Sequence, residues 1–234
     1  MIRKLIPHNI KVRYRLIKNS ISDLKNGYVF RFAKKKEFKN DFPDLISLKQ
    51  DLKPNDAKKI NLIQAINRIE AFHINPNEIF SFWKAVGNPS KKNGFVPSRS
   101  IVNGIIEDSV GGGLCQLSGL IYYVCLQADL EVLERYNHSI DIYTEQTRFT
   151  PLGSDATVAY AYKDLKIKNN LKGPIRFSFH LEDEFITVKL LLSEPLGKVQ
   201  LEFIEKKKGG DLMEVSTMIN NEIKVKSYYK KTAK

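Results

Sequence analysis

The sequence predicts an α+β fold: a buried, cysteine-bearing helix packed on an antiparallel β-sheet, with N-terminal helices before it and a small β extension at the C-terminus. Three observations carry this. Apolar residues recur at helical spacing over much of the first 75 positions. Residues 115–128 are apolar on most sides, which marks a buried helix. Beyond Glu131 the period switches to two, with turn residues between short runs. The 234 residues are 42% hydrophobic and 27% charged, so a core of ordinary size can form without metal or disulfide support.

Residues 7–25 read as an amphipathic helix with Pro7 in its first turn. Ile10, Tyr14, Ile17, Ile21 and Leu24 form the apolar stripe, beside Lys11, Arg15, Lys18 and Lys25. The first expectation is that this stripe docks on the body of the protein. The second is that Lys11, Arg15 and Lys18 meet an anionic membrane surface. Residues 26–53 read as a basic, irregular connector with aromatics. Pro54-Asn55-Asp56 opens a second helix with Leu62, Ile63, Ile66, Ile69 and Phe72 inward; Asn75-Pro76-Asn77 ends it. His73, at that end, is expected as a cap or surface group.

A short aromatic segment, Ile79–Val86, precedes a loop at 88–94 and a hairpin turning at Asn103-Gly104. Gly111-Gly112-Gly113 leads into the buried helix, about Cys115–Ala128. Strands are expected at Ser139–Tyr143, Ala156–Tyr162, Leu165–Asn169, Ile175–Leu181 and Phe185–Leu192. Two hairpins follow, around Lys208–Asp211 and Asn220–Glu222. This divides the chain into a basic N-terminal helix and connector (1–53), an α+β domain (54–194) and a β-hairpin extension (195–234).

The net charge of +12 is uneven: residues 1–39 hold twelve Lys or Arg against Asp23 and Glu37, which is +10 of the total. A basic arm on a near-neutral body suggests acidic lipid, an acidic wall polymer or nucleic acid as partner, or else a solvated face. No recognised nucleic-acid motif accompanies the charge, which disfavours that partner. No apolar h-region follows Met1, and no run approaches the roughly 18 apolar residues of a span. The expectation is a cytoplasmic chain, peripheral at most on the inner face of the membrane, or one separated from its export signal. Cys115 and Cys125, ten apart on one helix, would sit roughly 15 Å from each other, too far for a disulfide.

Cys115 stands at the start of the buried helix, where unpaired N–H groups and the helix dipole favour thiolate. Gly111, Gly112 and Gly113 let the backbone approach a bound group, and with Gln116 could hold an oxyanion. His138 and Asp155 follow, each expected at the start of a strand. Cysteine, histidine, acid in that order is common in cysteine hydrolases and acyl transferases: Cys115 as nucleophile, His138 as base, Asp155 as orienter. Ser139 sits beside the histidine as a further substrate-binding candidate. The bland reading is a buried structural cysteine, with His138 and Asp155 fixing turns. Zinc on Cys115, His138, Asp155 and His180 is a weaker alternative, because the ligands are scattered and no CxxC or HxxxH pair exists. No cofactor motif is present: no Walker loop, no GxGxxG before a helix.

These residues also carry a resemblance. Ile79-Phe80-Ser81-Phe82 with Val86-Gly87, Ile101-Val102-Asn103-Gly104, Gly111–Ser118, Leu130–Arg135 with His138-Ser139, Gly153–Val158 and Asp164–Asn170 form six ordered blocks. Together they resemble the VanW-like family, named for a gene that accompanies B-type vancomycin resistance. The resemblance implies a role at the Gram-positive cell envelope and assigns no catalytic residue. Two readings follow. One is a Cys-His-Asp amide hydrolase or acyl transferase on a peptidoglycan peptide or its precursor. The other is a non-catalytic envelope-binding module held to anionic membrane by its basic arm.

Overall fold

Pro7 begins a helix, α1 (His8–Lys25), but as its N-cap rather than inside the first turn. The computed structural model describes residues 6–36, 41–53, 55–102, 105–141 and 149–231, with the backbone alone at 99–102 and 105–108. α1 does not dock by its apolar stripe, as the sequence suggested. Ile10, Tyr14, Ile17, Ile21 and Leu24 are exposed, and the residue the helix buries is Asp23. Asp23 pairs with the buried Lys166 at 2.5 Å, and this pair fixes which side of the helix turns inward.

The stretch 26–53 is not the irregular connector expected. Lys34–Lys35 forms β1 and Asp44–Asp51 forms β2, an eight-residue strand with alternating burial. The strand was hidden because its outward positions include Leu45 and its inward ones Gln50, so hydropathy alternates poorly. α2 (Asp56–Ile69) starts where the sequence places it, with the Asn55 side chain accepting from the Lys58 N–H. It stops at Ile69, earlier than the expected 75–77 boundary. The chain then enters β3 (Phe72–His73), antiparallel to β1. His73 is therefore a buried strand residue and not a helix cap. Burial, then the Lys36 charge, holds its imidazole below the usual pKa.

β4 (Ile79–Ser81) and a short helix α3 (Phe82–Val86) make up the aromatic segment. β5 (Pro97–Val102) and β6 (Ile105–Val110) pair as expected; the Asn103-Gly104 turn between them lies outside the described residues. α4 (Leu114–Gln127) is the buried helix, with Leu117, Ile121, Val124, Cys125 and Leu126 fully inaccessible. β7 (Glu131–Glu134) had not been read as a strand. β8 is only Ile140–Asp141; the rest of the expected strand, from 142 on, lies outside the described residues. β9 (Lys166–Lys168) sits between β4 and β7 in a three-stranded sheet.

β10 (Ile175–Leu181) and β11 (Phe185–Leu192) form the hairpin read from the sequence, and β2 adds to its edge in the order β10-β11-β2. Ile186, Val188, Leu190 and Leu192 turn inward from β11, which packs on α4. Each such fully buried aliphatic side chain contributes about 1.5–3 kcal/mol. β12 (Leu201–Gly209), β13 (Leu212–Ile219) and β14 (Glu222–Lys231) form an antiparallel meander whose last strand runs parallel to β8.

Candidate active site

The first element of the site is the turn before α4. Gly111 and Gly113 hold left-handed backbone, with φ of +88° and +98°. A Cβ at Gly113 would lie 2.8 Å from Lys58 Cγ, so conformation and space both call for glycine there. Asn61, fully buried on α2, clamps the turn: its amide donates to the Gly112 carbonyl at 3.1 Å and the Val96 carbonyl at 3.0 Å. No side chain caps the helix that follows. Cys115 is its second residue, so its thiol lies at the positive end of the helix.

The segment 155–158 lies along α4. This is the stretch expected to begin the strand Ala156–Tyr162, and it is extended but unpaired with other strands, apart from a bridge at Ala159 and Lys163. Two of its carbonyls meet side chains of α4, and the Thr157 N–H donates to the Tyr136 carbonyl at 2.7 Å. Ser118 Oγ donates to the Ala156 carbonyl at 2.7 Å, and Cys115 Sγ lies 3.4 Å from both Thr157 Oγ1 and the Val158 carbonyl. The backbone of 155–156 passes Gly119, one turn past Cys115, at a distance where an added Cβ would make ordinary contact.

The Cys115 thiol and the His138 ring lie close enough to shift each other's charge. On its other side the His138 ring places Nδ1 2.6 Å from Asp155 Oδ2. Asp155 Oδ2 also accepts the His138 backbone N–H at 2.7 Å, so the carboxylate fixes both ring and backbone of the histidine. Neither His138 nor Asp155 begins a strand, as had been expected; both occupy loop backbone pinned by these bonds. Cys115, His138 and Asp155 are thus brought together in that order.

Sequence reasoning missed the groups behind the acid. Arg135, 3% exposed in its side chain, pairs with Asp155 Oδ1 at 2.9 Å and donates to the carbonyls of Asp155 and Gly153 and to Ser227 Oγ. Its guanidinium also lies over the Tyr122 ring of α4, 4.9 Å from the centroid. Tyr229, buried on β14, donates its hydroxyl to Asp155 Oδ1 at 2.5 Å. Arg135 stood inside a recognised block of the sequence. Tyr229 lies 74 residues from Asp155, in a strand that carried no motif.

The charges follow from these contacts. Burial alone would push the Cys115 thiol up, but the hydrogen bonds from His138 and Thr157 bring it below its usual value. Burial would likewise lower His138, yet its bonds to Asp155 and Cys115 raise it to about 9. Asp155, against the same penalty, is held at about 2 by His138 and Arg135. These contacts bias the thiol toward its ionised form and the imidazole toward its protonated form. Cys125 is the contrast: it is free, fully buried, and raised by desolvation.

The remaining candidates divide. Gln116 adjoins Cys115, and its side-chain oxygen is buried with no hydrogen-bond partner among the described residues. Gly111, Gly112 and Gly113 form the approach to the helix start, as above. Ser139 is exposed, and its carbonyl accepts from Lys230 of β14. Lys18 is exposed on α1, whereas the Arg15 guanidinium lies 5.4 Å from the Tyr162 ring centroid. His180 is on β10, paired with Glu182 at 2.7 Å, and no cluster of three metal-ligand side chains occurs among the described residues.

Comparison with known proteins bears on the same region. The family described as VanW like protein matches residues 57–191, from α2 through β11. The Vancomycin B-type resistance protein VanW of Enterococcus faecalis is 30% identical over 136 residues, which is 58% of this chain and 50% of that protein. The Bacillus subtilis protein YoaR, itself uncharacterized, is 31% identical over 121 residues, 52% of this chain and 38% of its own length. The match thus spans half or less of either relative. No solved structure gives a significant match. Since the family match covers more than half of the sequence and takes in Cys115, His138 and Asp155, the chain belongs to the VanW-like family.

Proposed function

We propose that the chain is a cysteine hydrolase or acyl transferase acting on an amide of a peptidoglycan peptide or its precursor. The observation that carries this reading is the His138 ring set between the Cys115 thiol and Asp155, whose Oδ2 lies 2.6 Å from Nδ1, with the thiol at a helix start. The envelope substrate is our inference from the Enterococcus relative, which is named for B-type vancomycin resistance.

The steps follow from the geometry. The Cys115 thiolate attacks the amide carbonyl carbon, and the oxygen takes the negative charge. The first N–H groups of α4 have no intrahelical partner and face that charge. As the C–N bond breaks, the His138 imidazolium passes its proton to the leaving nitrogen and an acyl thioester remains on Cys115. Water or an acceptor amine then attacks the thioester, giving its proton to His138. The acid or new amide departs, and thiolate and imidazolium are restored. Asp155 holds the ring throughout and stays ionised.

Two measurements test the proposal. At pH 7, iodoacetamide should modify Cys115 on the order of tenfold faster in the parent than in His138→Ala, because the thiolate loses its partner. Incubation with peptidoglycan-derived peptides, read by mass spectrometry, should give cleaved or exchanged products that Cys115→Ala does not form. An alkylation rate indifferent to His138, with no product, would return these residues to a structural role. The non-catalytic reading would then stand.

A further inference from the structure

α1 carries two faces. Val12, Leu16, Asn19 and Asp23 recur at i, i+4, i+7 and i+11 and make the side turned to the body. There Asn19 donates to the Ala161 carbonyl at 3.0 Å, and Asp23 pairs with Lys166, which also pairs with Glu134 at 2.9 Å. The chain after the helix is stitched down as well: the Tyr28 N–H bonds the Asp23 carbonyl, and Arg31 and Ala33 bond Ile79 of β4. The helix is therefore held by this side and cannot roll over without breaking a buried ion pair.

The opposite face is left open. Ile10, Tyr14, Ile17, Ile21 and Leu24 are 50–64% exposed, and Phe30 just beyond is 86% exposed. A lone exposed apolar residue is ordinary, but a continuous stripe from Ile10 to Leu24 of an 18-residue helix marks an interaction surface. Lys11, Lys18 and Lys25 each follow a stripe residue directly, and Arg13 lies on the other flank. The helix's one acid, Asp23, is on the docked side.

We propose that this face is an in-plane anchor for an anionic phospholipid bilayer, into whose interface the stripe inserts while the flanking lysines meet lipid phosphates. The charge pattern selects this occupant over a second copy of the chain. Antiparallel or parallel pairing of two such stripes would place lysine rows beside lysine rows, with no acid to answer them. At 18 residues the seam is also short for a coiled coil. No helix among the described residues is long and apolar enough to cross a membrane, so the contact is interfacial. The proposal is independent of the thiol chemistry.

Vesicle sedimentation of the whole chain tests it. Binding should be strong to vesicles of phosphatidylcholine mixed with phosphatidylglycerol, weak to phosphatidylcholine alone, and reduced by raised salt. Ile17→Asp and the double change Lys11→Glu/Lys18→Glu should each weaken binding on the order of tenfold or more. The parent rate of Cys115 alkylation in both variants would show that they fold. Binding that ignores lipid charge, or survives Ile17→Asp in a folded chain, overturns the proposal. So does a concentration-dependent dimer in sedimentation velocity that Ile17→Asp abolishes, which would assign the stripe to a second copy.

Discussion

Asp155 accepts from Arg135, Tyr229 and His138 at once, and these contacts separate two kinds of support. Arg135→Met would remove one of the two cations against the half-buried carboxylate and strand three buried acceptors. It should cost about 3–5 kcal/mol in urea unfolding. Tyr229→Phe removes one donor and keeps the cation, so the fold should hold within about 1–2 kcal/mol. With that donor gone, more of the carboxylate's charge falls on His138, and the pH at which Cys115 alkylation begins to change at alkaline pH should move upward. A purely structural Tyr229 would alter stability and leave that profile in place. The acid limb has its own sign. Asp155 is depressed to about 2, so its contribution is present above the ordinary carboxylate pKa near 4 and lost as pH falls through about 2. The stability gap between the parent and Asp155→Asn should narrow over that window. His138 is the reverse: raised to about 9, its protonated form stabilises fully below about 6.5 and loses that contribution as pH rises through about 9. The three catalytic candidates were legible because their order and residue types are chemically distinctive. Arg135 and Tyr229 were not, since an arginine in a strand-like run and a tyrosine in a meander look like many others until their partners are known.

At the scale of elements, two glycines that look alike in the sequence have opposite requirements. Gly153 has a φ of +102°, and a Cβ there would lie 2.8 Å from Val215 Cγ1 and 3.0 Å from Phe203 Cδ1. Gly153→Ala should therefore destabilise by about 1–3 kcal/mol from backbone strain, before the overlap with β12 and β13 is counted. Gly119 is helical, and its nearest contacts from an added Cβ are 3.6 and 3.9 Å. Gly119→Ala should be neutral or stabilise by up to about 1 kcal/mol. Thermal or urea unfolding of the pair decides both. The same contrast explains which elements could be read in advance. β10 and β11 match their expected bounds, because clear alternation is broken by Glu182-Asp183-Glu184. The segment 156–162 alternates too, yet it forms no strand: Ser118 and Cys115 of α4 and the Tyr136 carbonyl bond residues 156–158, and 160–162 is a turn. Periodicity reports an extended chain; it does not name the partner. α1 failed for a related reason. Its stripe identified a helix correctly, but one buried ion pair, Asp23 with Lys166, decided which face turned inward.

At the scale of the whole molecule, strands on the two sides of each suggested boundary pair with one another. β2, before position 53, completes the sheet of β11, and β14, after position 194, lies beside β8. The three-stranded meander packs Phe203 near Tyr123 of α4 and delivers Tyr229 to Asp155. A two-faced α1 stands at the other end of the sequence, anchored through Lys166 of β9, itself paired with Glu134 of β7. The thiol and the proposed membrane anchor therefore belong to one connected framework, in which β7 leads directly to Arg135.

Tyr229 has a consequence in time as well as in space. During synthesis the ribosome releases Cys115, His138 and Asp155 long before β14. Until that strand emerges and folds back, the carboxylate lacks one of its donors, and the loop bearing His138 lacks the strand beside it. A nascent chain would carry Cys115 beside an incompletely supported His138–Asp155 pair until β14 had closed on β13.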